Sequence, residues 1–344
     1  MRHAAEPDAV SELAHQVAIA LLKSGRRTAL RCAMDKSEVL LREPTDALRT
    51  NLRKQVLRAI PGVGYQGEDF ESIDYDMYEI SPDLPLFRGP PVDAQVLARG
   101  EYFCVLGAAQ TFGRLVHHSW PHLVSEAVGL PVVNLGRGGK GPEFFLHPVV
   151  LEIARKARFV IIQAMSGRSV GCEEYPGGRY ITRGSERTKV QRWTVLEQLW
   201  NKDRKVAIDY VGRWNASYLD LYARLHAQIG RPALLAWISE RAPDGWSPQS
   251  LLQELDWGMF PQLVGQDLYQ SVAALFDAHV ELVFKRESEQ LMSRSTGNPC
   301  PYFGSGKQLK YDLEYYPTSE ANTALATKVI PWARKALENS GGSQ

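Results

Sequence analysis

The stretch Tyr102-Phe103-Cys104-Val105-Leu106-Gly107-Ala108-Ala109-Gln110-Thr111-Phe112-Gly113 decides how the rest of the chain is read. A short apolar run, suited to a strand covered on both faces, enters a loop bracketed by two glycines. Working outward, similar runs occur at Pro131 to Leu135, Phe159 to Gln163, Ala233 to Ile238 and His279 to Phe284. Each ends in a glycine-rich or polar loop, and helical stretches alternate with them. That βαβ rhythm predicts a doubly wound α/β domain built on a five-stranded parallel sheet, with every strand buried on both faces.

The longer connections predict helical insertions at about 185–230 and 246–278. Within the first, Leu196, Leu199, Trp200, Tyr210, Trp214, Tyr218, Leu221 and Leu225 are spaced as two helices packed over the sheet, so these aromatics read as core. Thr318-Ser319-Glu320-Ala321 starts a final helix that runs to about Leu337, with a cap and an acidic first turn. The domain is thus expected over 96–338, with a flexible tail at 339–344.

Residues 1–95 have a different character and read as an N-terminal extension. Val10, Leu13, Val17, Ala20 and Leu21 mark one amphipathic helix. Leu48, Leu52, Val56 and Leu57, after Pro44-Thr45-Asp46, mark another. From Gly64 to Pro91 the chain is acidic, aromatic and proline-rich, as suits an extended segment lying on another surface. The extension either caps the main domain or makes a homodimer contact, and the sequence leaves both open.

Composition narrows the function classes. With 44% hydrophobic residues in 344 the chain can bury a large core, and 40 basic against 39 acidic residues leave a net charge of +1. No global field then favours nucleic acid or an anionic membrane as partner. Cys32, Cys104, Cys172 and Cys300 form no CxxC pair, which argues against a zinc site or a disulfide framework and fits reduced thiols. The N-terminal apolar stretch is broken by His15 and Gln16, so no signal peptide or membrane span is evident, and a cytoplasmic location is expected. His118 and His122 stand four apart, but Pro121 lies between them and no third ligand is obvious. They read as structural or surface residues, and no metal is expected. The glycine loops match neither a P-loop nor a dinucleotide fingerprint, so no cofactor is expected.

In open parallel sheets, ligands bind beyond the carboxyl ends of the strands, where strand order reverses. This selects the loops 107–113, 136–142, 164–171, 239–245 and 285–317. Their cations are informative: Arg137 and Lys140 follow the second run, Arg168 the third and Arg241 the fourth, and they are expected to converge on one crevice. Amides of Gly136 and Gly139 add donors for an anion. The alternative for each cation is an ordinary surface charge. Gln110 and Thr111 either hydrogen-bond a ligand or tie down their loop. Ser166 follows the third run, but Arg168 stands where a nucleophile elbow wants glycine. Cys172, near Arg168 and Arg179 in sequence, reads as a packed thiol or a thiolate.

Taken in order, the loops resemble those of the SGNH (GDSL-like) hydrolases, a flavodoxin-like α/β family. Gly107-Ala108-Ala109-Gln110-Thr111-Phe112-Gly113 resembles the first block, Gly-Asp-Ser-x-Thr-x-Gly, with Ala109 at the nucleophile position. Asn134-Leu135-Gly136-Arg137-Gly138-Gly139-Lys140-Gly141 resembles the block whose glycine donates to the oxyanion. Ser166-Gly167-Arg168-Ser169 lacks the asparagine of the third block. In Leu313-Glu314-Tyr315-Tyr316-Pro317, Tyr316 takes the histidine place and Leu313 the aspartate place, with Asp312 one residue out of register. A closer similarity is to an uncharacterised bacterial domain family with Gly-Ala-Ala-x-Thr-Phe-Gly and Asn-Leu-Gly-x-Gly-x-Gly-Pro.

The resemblance implies the fold and a degenerate triad. Serine acyl transfer needs an oxygen nucleophile, an imidazole and an orienting carboxylate, and all three places are substituted. What remains is group transfer or hydrolysis without a triad, on a polar, anionic substrate such as a glycan or an acyl-carrying intermediate. Ser166, Thr111 and Tyr316 are the candidate catalytic residues. Gln110, Gly136, Arg137, Gly139, Lys140, Gln163, Arg168 and Arg241 are the candidate substrate-binding residues. The other readings are a catalytically silent binding or scaffolding module and a transferase using a sulfated or phosphorylated donor.

Overall fold

The computed structural model of the chain describes residues 69, 71–170, 180–183, 188–285, 287–294, 296–303, 309–311, 313 and 315–341. Both expected N-terminal helices, Cys32, Cys172, Arg179, Asp312 and residues 342–344 lie outside these described residues. The chain divides into two compact units: residues 1–91 with 290–312, and residues 92–289 with 313–344.

The larger unit is built on five strands, β1 (Phe103–Leu106), β2 (Val132–Asn134), β3 (Val160–Gln163), β4 (Ala233–Ser239) and β5 (Ala278–Val283). They form one sheet in the order β2-β1-β3-β4-β5, and every neighbouring pair is parallel. This is the doubly wound α/β fold expected from the sequence. Chain order reverses at β1, whose following strand lies on one side of it and whose next-but-one lies on the other.

Burial explains why those runs are continuous rather than alternating. Every residue of β1 to β4 is buried. On one face Phe103, Val105, Ile161, Leu234 and Ile238 pack with Trp120 and Val124 of α3 (Trp120–Val128) and with Leu325, Val329 and Ala333 of α8 (Ser319–Gly341). Thr318, just before α8, accepts through Oγ1 from Ala321 N at 3.3 Å, and the helix carries Pro331 in its interior. The other face meets α4 (Pro148–Lys156) and α6 (Arg204–Ile229). There the Tyr222 hydroxyl donates to Gln163 O at 2.8 Å, and Tyr102 donates to Ile153 O at 2.7 Å. Burying a large side chain of this kind is worth about 1.5–3 kcal/mol.

The fifth strand departs from expectation. It is an edge strand, and only Leu282 in it is buried, while Val283 is 49% exposed. The other edge strand, β2, is buried throughout, so the exposure of β5 reflects missing cover over its faces rather than its edge position alone. The first insertion forms two helices as expected, α5 (Arg192–Lys202) and α6, and they are preceded by an antiparallel pair, Tyr180–Arg183 with Thr188–Gln191. The second contains a short 3-10 turn, Pro248–Leu252, and one helix, α7 (Gln266–Ala273). Two further helices are α1 (Ala94–Arg99) and the single turn α2 (Ala109–Phe112).

In the smaller unit, Tyr78 pairs with Phe87, Tyr302–Phe303 pairs with Leu309–Lys310, and the Arg88 guanidinium lies 5.0 Å over the Tyr75 ring. Ser293 Oγ donates to the Glu71 carboxylate. Residues 71–91 belong to this unit. No helix among the described residues is long and apolar enough to cross a membrane.

Candidate functional site

The reversal point lies at the carboxyl ends of β1 and β3, and the chain's own side chains fill it. Gln163, fully buried at the end of β3, accepts through Oε1 from Ala108 N at 2.8 Å and from Thr111 Oγ1 at 2.7 Å. Its Nε2 donates to Gln110 Oε1 at 3.3 Å. Asn134, at the end of β2, donates to Thr111 O at 3.0 Å and accepts from Gly136 N at 2.9 Å. Arg137 N closes the loop onto Gly107 O at 2.8 Å. All of these groups are buried amides or hydroxyls, so each must find a partner, and they find one another.

Several expected site residues take part in this frame. Thr111 is wholly buried and its hydroxyl is given to Gln163, which frames the loop. Gln163 is committed to the same loop through Ala108 N. The Gly136 amide donates to Asn134. Its glycine serves close approach: a Cβ there would stand 2.3 Å from Phe112 N. Gly107 is as confined, since a Cβ would lie 2.1 Å from Thr111 Oγ1.

One of the four cations is committed to the backbone. Arg241 is buried, and its guanidinium is consumed by carbonyls: Nε donates to Met259 O, Nη1 to Ala242 O and Pro243 O, and Nη2 to Pro261 O and Val264 O. The same group lies 5.0 Å over the Trp237 ring, and burial lowers its pKa to about 10. It clamps the 259–264 segment and has no donor left for a ligand. Arg137 and Lys140 follow β2, at the opposite edge of the sheet from β5. Lys140 Nζ lies 4.9 Å from the Phe144 ring, and burial, then the neighbouring Arg137 charge, lower its pKa. Gly139, exposed beside them, has a φ of 74°.

Open space lies instead at the carboxyl ends of β4 and β5. A cavity of about 90 Å³ is lined by Gln110, Ile238, Ser239, Glu240, Met259, Phe260, Gln262, Phe284 and Tyr315. Of the expected site residues only Gln110 lines it. Ser166 lies just behind: it is 4% exposed, and its Oγ donates to Gln262 Oε1 at 2.7 Å. The tyrosines of α6 hold Ser166 there, with Met165 N donating to the Tyr222 hydroxyl and Tyr218 donating to Met165 O. Ser239 Oγ donates to Phe260 O at 2.5 Å and accepts from Arg241 N at 3.0 Å.

Tyr315 lines this cavity, and Arg168 near it is half-buried. Burial pushes the Tyr315 phenol above its ordinary range, the Arg168 charge and a hydrogen bond from Gln262 oppose the shift, and Glu240 adds to it. Its ring meets Tyr316 edge-on at 5.0 Å. The Tyr316 hydroxyl accepts from Arg114 Nη1 at 2.9 Å, and the Arg114 guanidinium lies 5.1 Å over the Tyr316 ring. Arg114 thus meets Tyr316 both at its hydroxyl and over its ring.

Glu240, Gln262, Tyr315 and Arg114 were missed by sequence reasoning. Glu240 was within reach of it, because it directly follows the fourth strand. Gln262 had no signal, since it belongs to no motif and owes its position to a buried turn in which Leu263 has a φ of 63°. Among the described residues no cluster of histidine, cysteine and carboxylate could hold a metal. His118 is exposed, and His122 Nδ1 is 2.8 Å from Ser119 Oγ.

A family model described as a domain of unknown function (DUF6473) matches residues 64–175. None of the curated proteins matches. Among solved structures, the chain is similar to a carbohydrate esterase family 2 enzyme with a carbohydrate-binding domain from Corynascus thermopiles (Myceliophthora fergusii), at 12% identity and a TM-score of 0.37, over 74% of this chain and 70% of that one. A lipase from a goat rumen metagenome has 13% identity and a TM-score of 0.35, over 68% and 96%. A protein described as lipolytic and of the G-D-S-L family, from Desulfitobacterium hafniense DCB-2, has 12% identity and a TM-score of 0.31, over 69% and 99%. At these TM-scores the likenesses carry no argument about chemistry; strand order and the parallel ladder define the fold.

Proposed function

We propose that residues 92–289 with 313–344 bind a small molecule, taking one polar end of it into the cavity beside Gln110, Glu240, Gln262 and Tyr315, and that any group transfer there uses no serine nucleophile. A sheet of this kind hosts unrelated chemistries, so the side chains have to decide. One observation carries the reading: the hydroxyls of Thr111 and Ser166 are both bonded to buried glutamines, while the cavity beyond β4 and β5 is open. A nucleophilic serine needs a base within about 2.6–3.2 Å, and Ser166 has a carboxamide oxygen instead.

The test is direct. Hydrolysis of p-nitrophenyl acetate is expected near background, and turnover that vanishes in Ser166→Ala overturns the non-serine mechanism. Thermal shift across a panel of sugars, amides and small acids is expected to find a stabilising ligand by linkage. Gln110→Ala should abolish that shift.

A second reading concerns charge. Arg137 and Lys140 lie close enough for the one to lower the pKa of the other, and burial adds to this. If the natural substrate is anionic, its charge is met there rather than in the cavity. Stabilisation by sulfate that is lost in Lys140→Ala supports this; equal stabilisation of both proteins removes it.

A further inference from the structure

We propose that the side-chain amide of Gln110 is a hydrogen-bond donor by which the cavity recognises its ligand, so that the end of the ligand it takes presents an acceptor oxygen and not an N–H. This rests on the reading of the cavity as a binding site. A relay of hydrogen bonds that starts at the backbone carries the inference. The Ala108 amide can only donate, and it donates to Gln163 Oε1 at 2.8 Å, so that atom is the carbonyl oxygen. Thr111 Oγ1 donates to the same oxygen at 2.7 Å. The other end of the Gln163 carboxamide is then an NH2 group, and it meets Gln110 at 3.3 Å. An NH2 group needs an acceptor, so the Gln110 atom that faces it is Oε1. The Gln110 NH2 group is thereby left for another partner, and it hydrogen-bonds none of the described residues.

Gln110 is 3% exposed and lines the cavity. A side chain so buried cannot turn its donor to bulk water, and buried donors in folded proteins are paired. The cavity is where the partner of this donor has room. Its volume of about 90 Å³ is that of about three waters at liquid density, so it admits an end group of a ligand. Ile238, Met259, Phe260 and Phe284 make much of the wall apolar, and Ser239 spends its hydroxyl proton on Phe260 O. In a small pocket of this kind a few placed polar groups set specificity. Gln110 differs from the others in that its polarity is dictated from the backbone. Gln163 and Thr111 are thus positioning residues, acting through Gln110.

Tetrahydrofuran, pyrrole and cyclopentane are rings of nearly equal size that carry an acceptor, a donor and neither, and they are the probes. Binding to the full chain is read by saturation-transfer NMR. Tetrahydrofuran is expected to bind about tenfold more tightly than either of the others, the worth of one buried hydrogen bond. In Gln110→Leu, which keeps the bulk and removes the amide, tetrahydrofuran should fall to the level of cyclopentane. Gln163→Glu provides a readout that a merely structural role would not move, because it changes no residue of the cavity wall. The Ala108 and Thr111 donors favour the ionised form of the new carboxyl, which has no NH2 group to offer. Gln110 should then turn over, give its own NH2 group to the carboxylate and present Oε1 to the cavity. Pyrrole should bind more tightly than tetrahydrofuran at about pH 8, and the order should revert toward about pH 5 as the carboxyl gains a proton to donate. The wild-type order over that range is the control.

Equal binding of the three rings by the wild-type chain, or pyrrole bound most tightly, overturns the inference and leaves the binding site standing. So does a preference for tetrahydrofuran that survives in Gln110→Leu, or that persists in Gln163→Glu at both ends of the pH range. Absence of binding by the rings and by every member of the panel of sugars, amides and small acids overturns the binding-site reading itself. The wild-type order needs no variant, so it decides should either variant not fold.

Discussion

Two places at the same end of the sheet are made of similar residues and do opposite things. At the reversal point between β1 and β3, Gln163, Thr111, Asn134 and Ala108 satisfy one another and leave no room. Beyond β4 and β5, Gln110, Glu240, Gln262 and Tyr315 surround an open cavity. Buried polar groups that complete each other's hydrogen bonds rigidify a fold, whereas groups that line space can take a ligand. The rule that ligands bind at the reversal point selects this end of the sheet, and the cavity there lies beside β4 and β5.

The largest effect expected from breaking this contrast is at the clamp. Arg241→Ala leaves five carbonyl acceptors without their donor and should cost about 3 kcal/mol or more, read as a lower urea midpoint with the cavity's ligand response lost as well. Gln163→Ala should cost about 2–3 kcal/mol, because the Ala108 amide and Thr111 hydroxyl lose their acceptor. Gly136→Ala forces a carbon against Phe112 N and should cost about 1–3 kcal/mol, again by urea unfolding.

At the cavity the signs reverse: Gln110→Ala should lower stability by only about 1 kcal/mol while removing ligand stabilisation. A change at Gln110 that unfolds the protein as severely as Gln163→Ala would erase the distinction between the two places.

A smaller effect concerns pH. Tyr102, Tyr218, Tyr222, Tyr269 and Tyr315 all have pKa values raised by burial. A phenol raised in the folded state gives stability that is complete below the ordinary value near 10 and is lost above it. Stability should be flat on this account up to about pH 10 and fall beyond it, with tyrosinate absorbance appearing together with unfolding. Phenolate formed in the intact fold near pH 10 would contradict the burial of these groups.

The sheet was legible because its interior strands are short apolar runs followed by turn residues, such as Val160–Gln163 and Ala233–Ser239. The edge strand misled in one respect, since His279 and Val283 look like core in a run and are exposed in the sheet. For the site, residue type was a poor guide. An arginine at the carboxyl end of a strand suggests an anion, and Arg241 shows that its own loop can be the acceptor. Gln262 and Tyr315 depend on how the 259–264 turn and the 313–317 segment come together across a long sequence separation, which no local pattern encodes.

Gly107 and Gly136, neither of which can accept a Cβ, bear on how variation in this protein should be interpreted. In a saturation mutagenesis screen scored by survival, positions 107 and 136 would tolerate almost nothing, with intolerance as sharp as that usually taken to mark a reactive centre. Neither touches the cavity. Ranking positions by intolerance would thus direct attention to the frame of the first loop, and only a screen that scores ligand response separately from folding would find Tyr315.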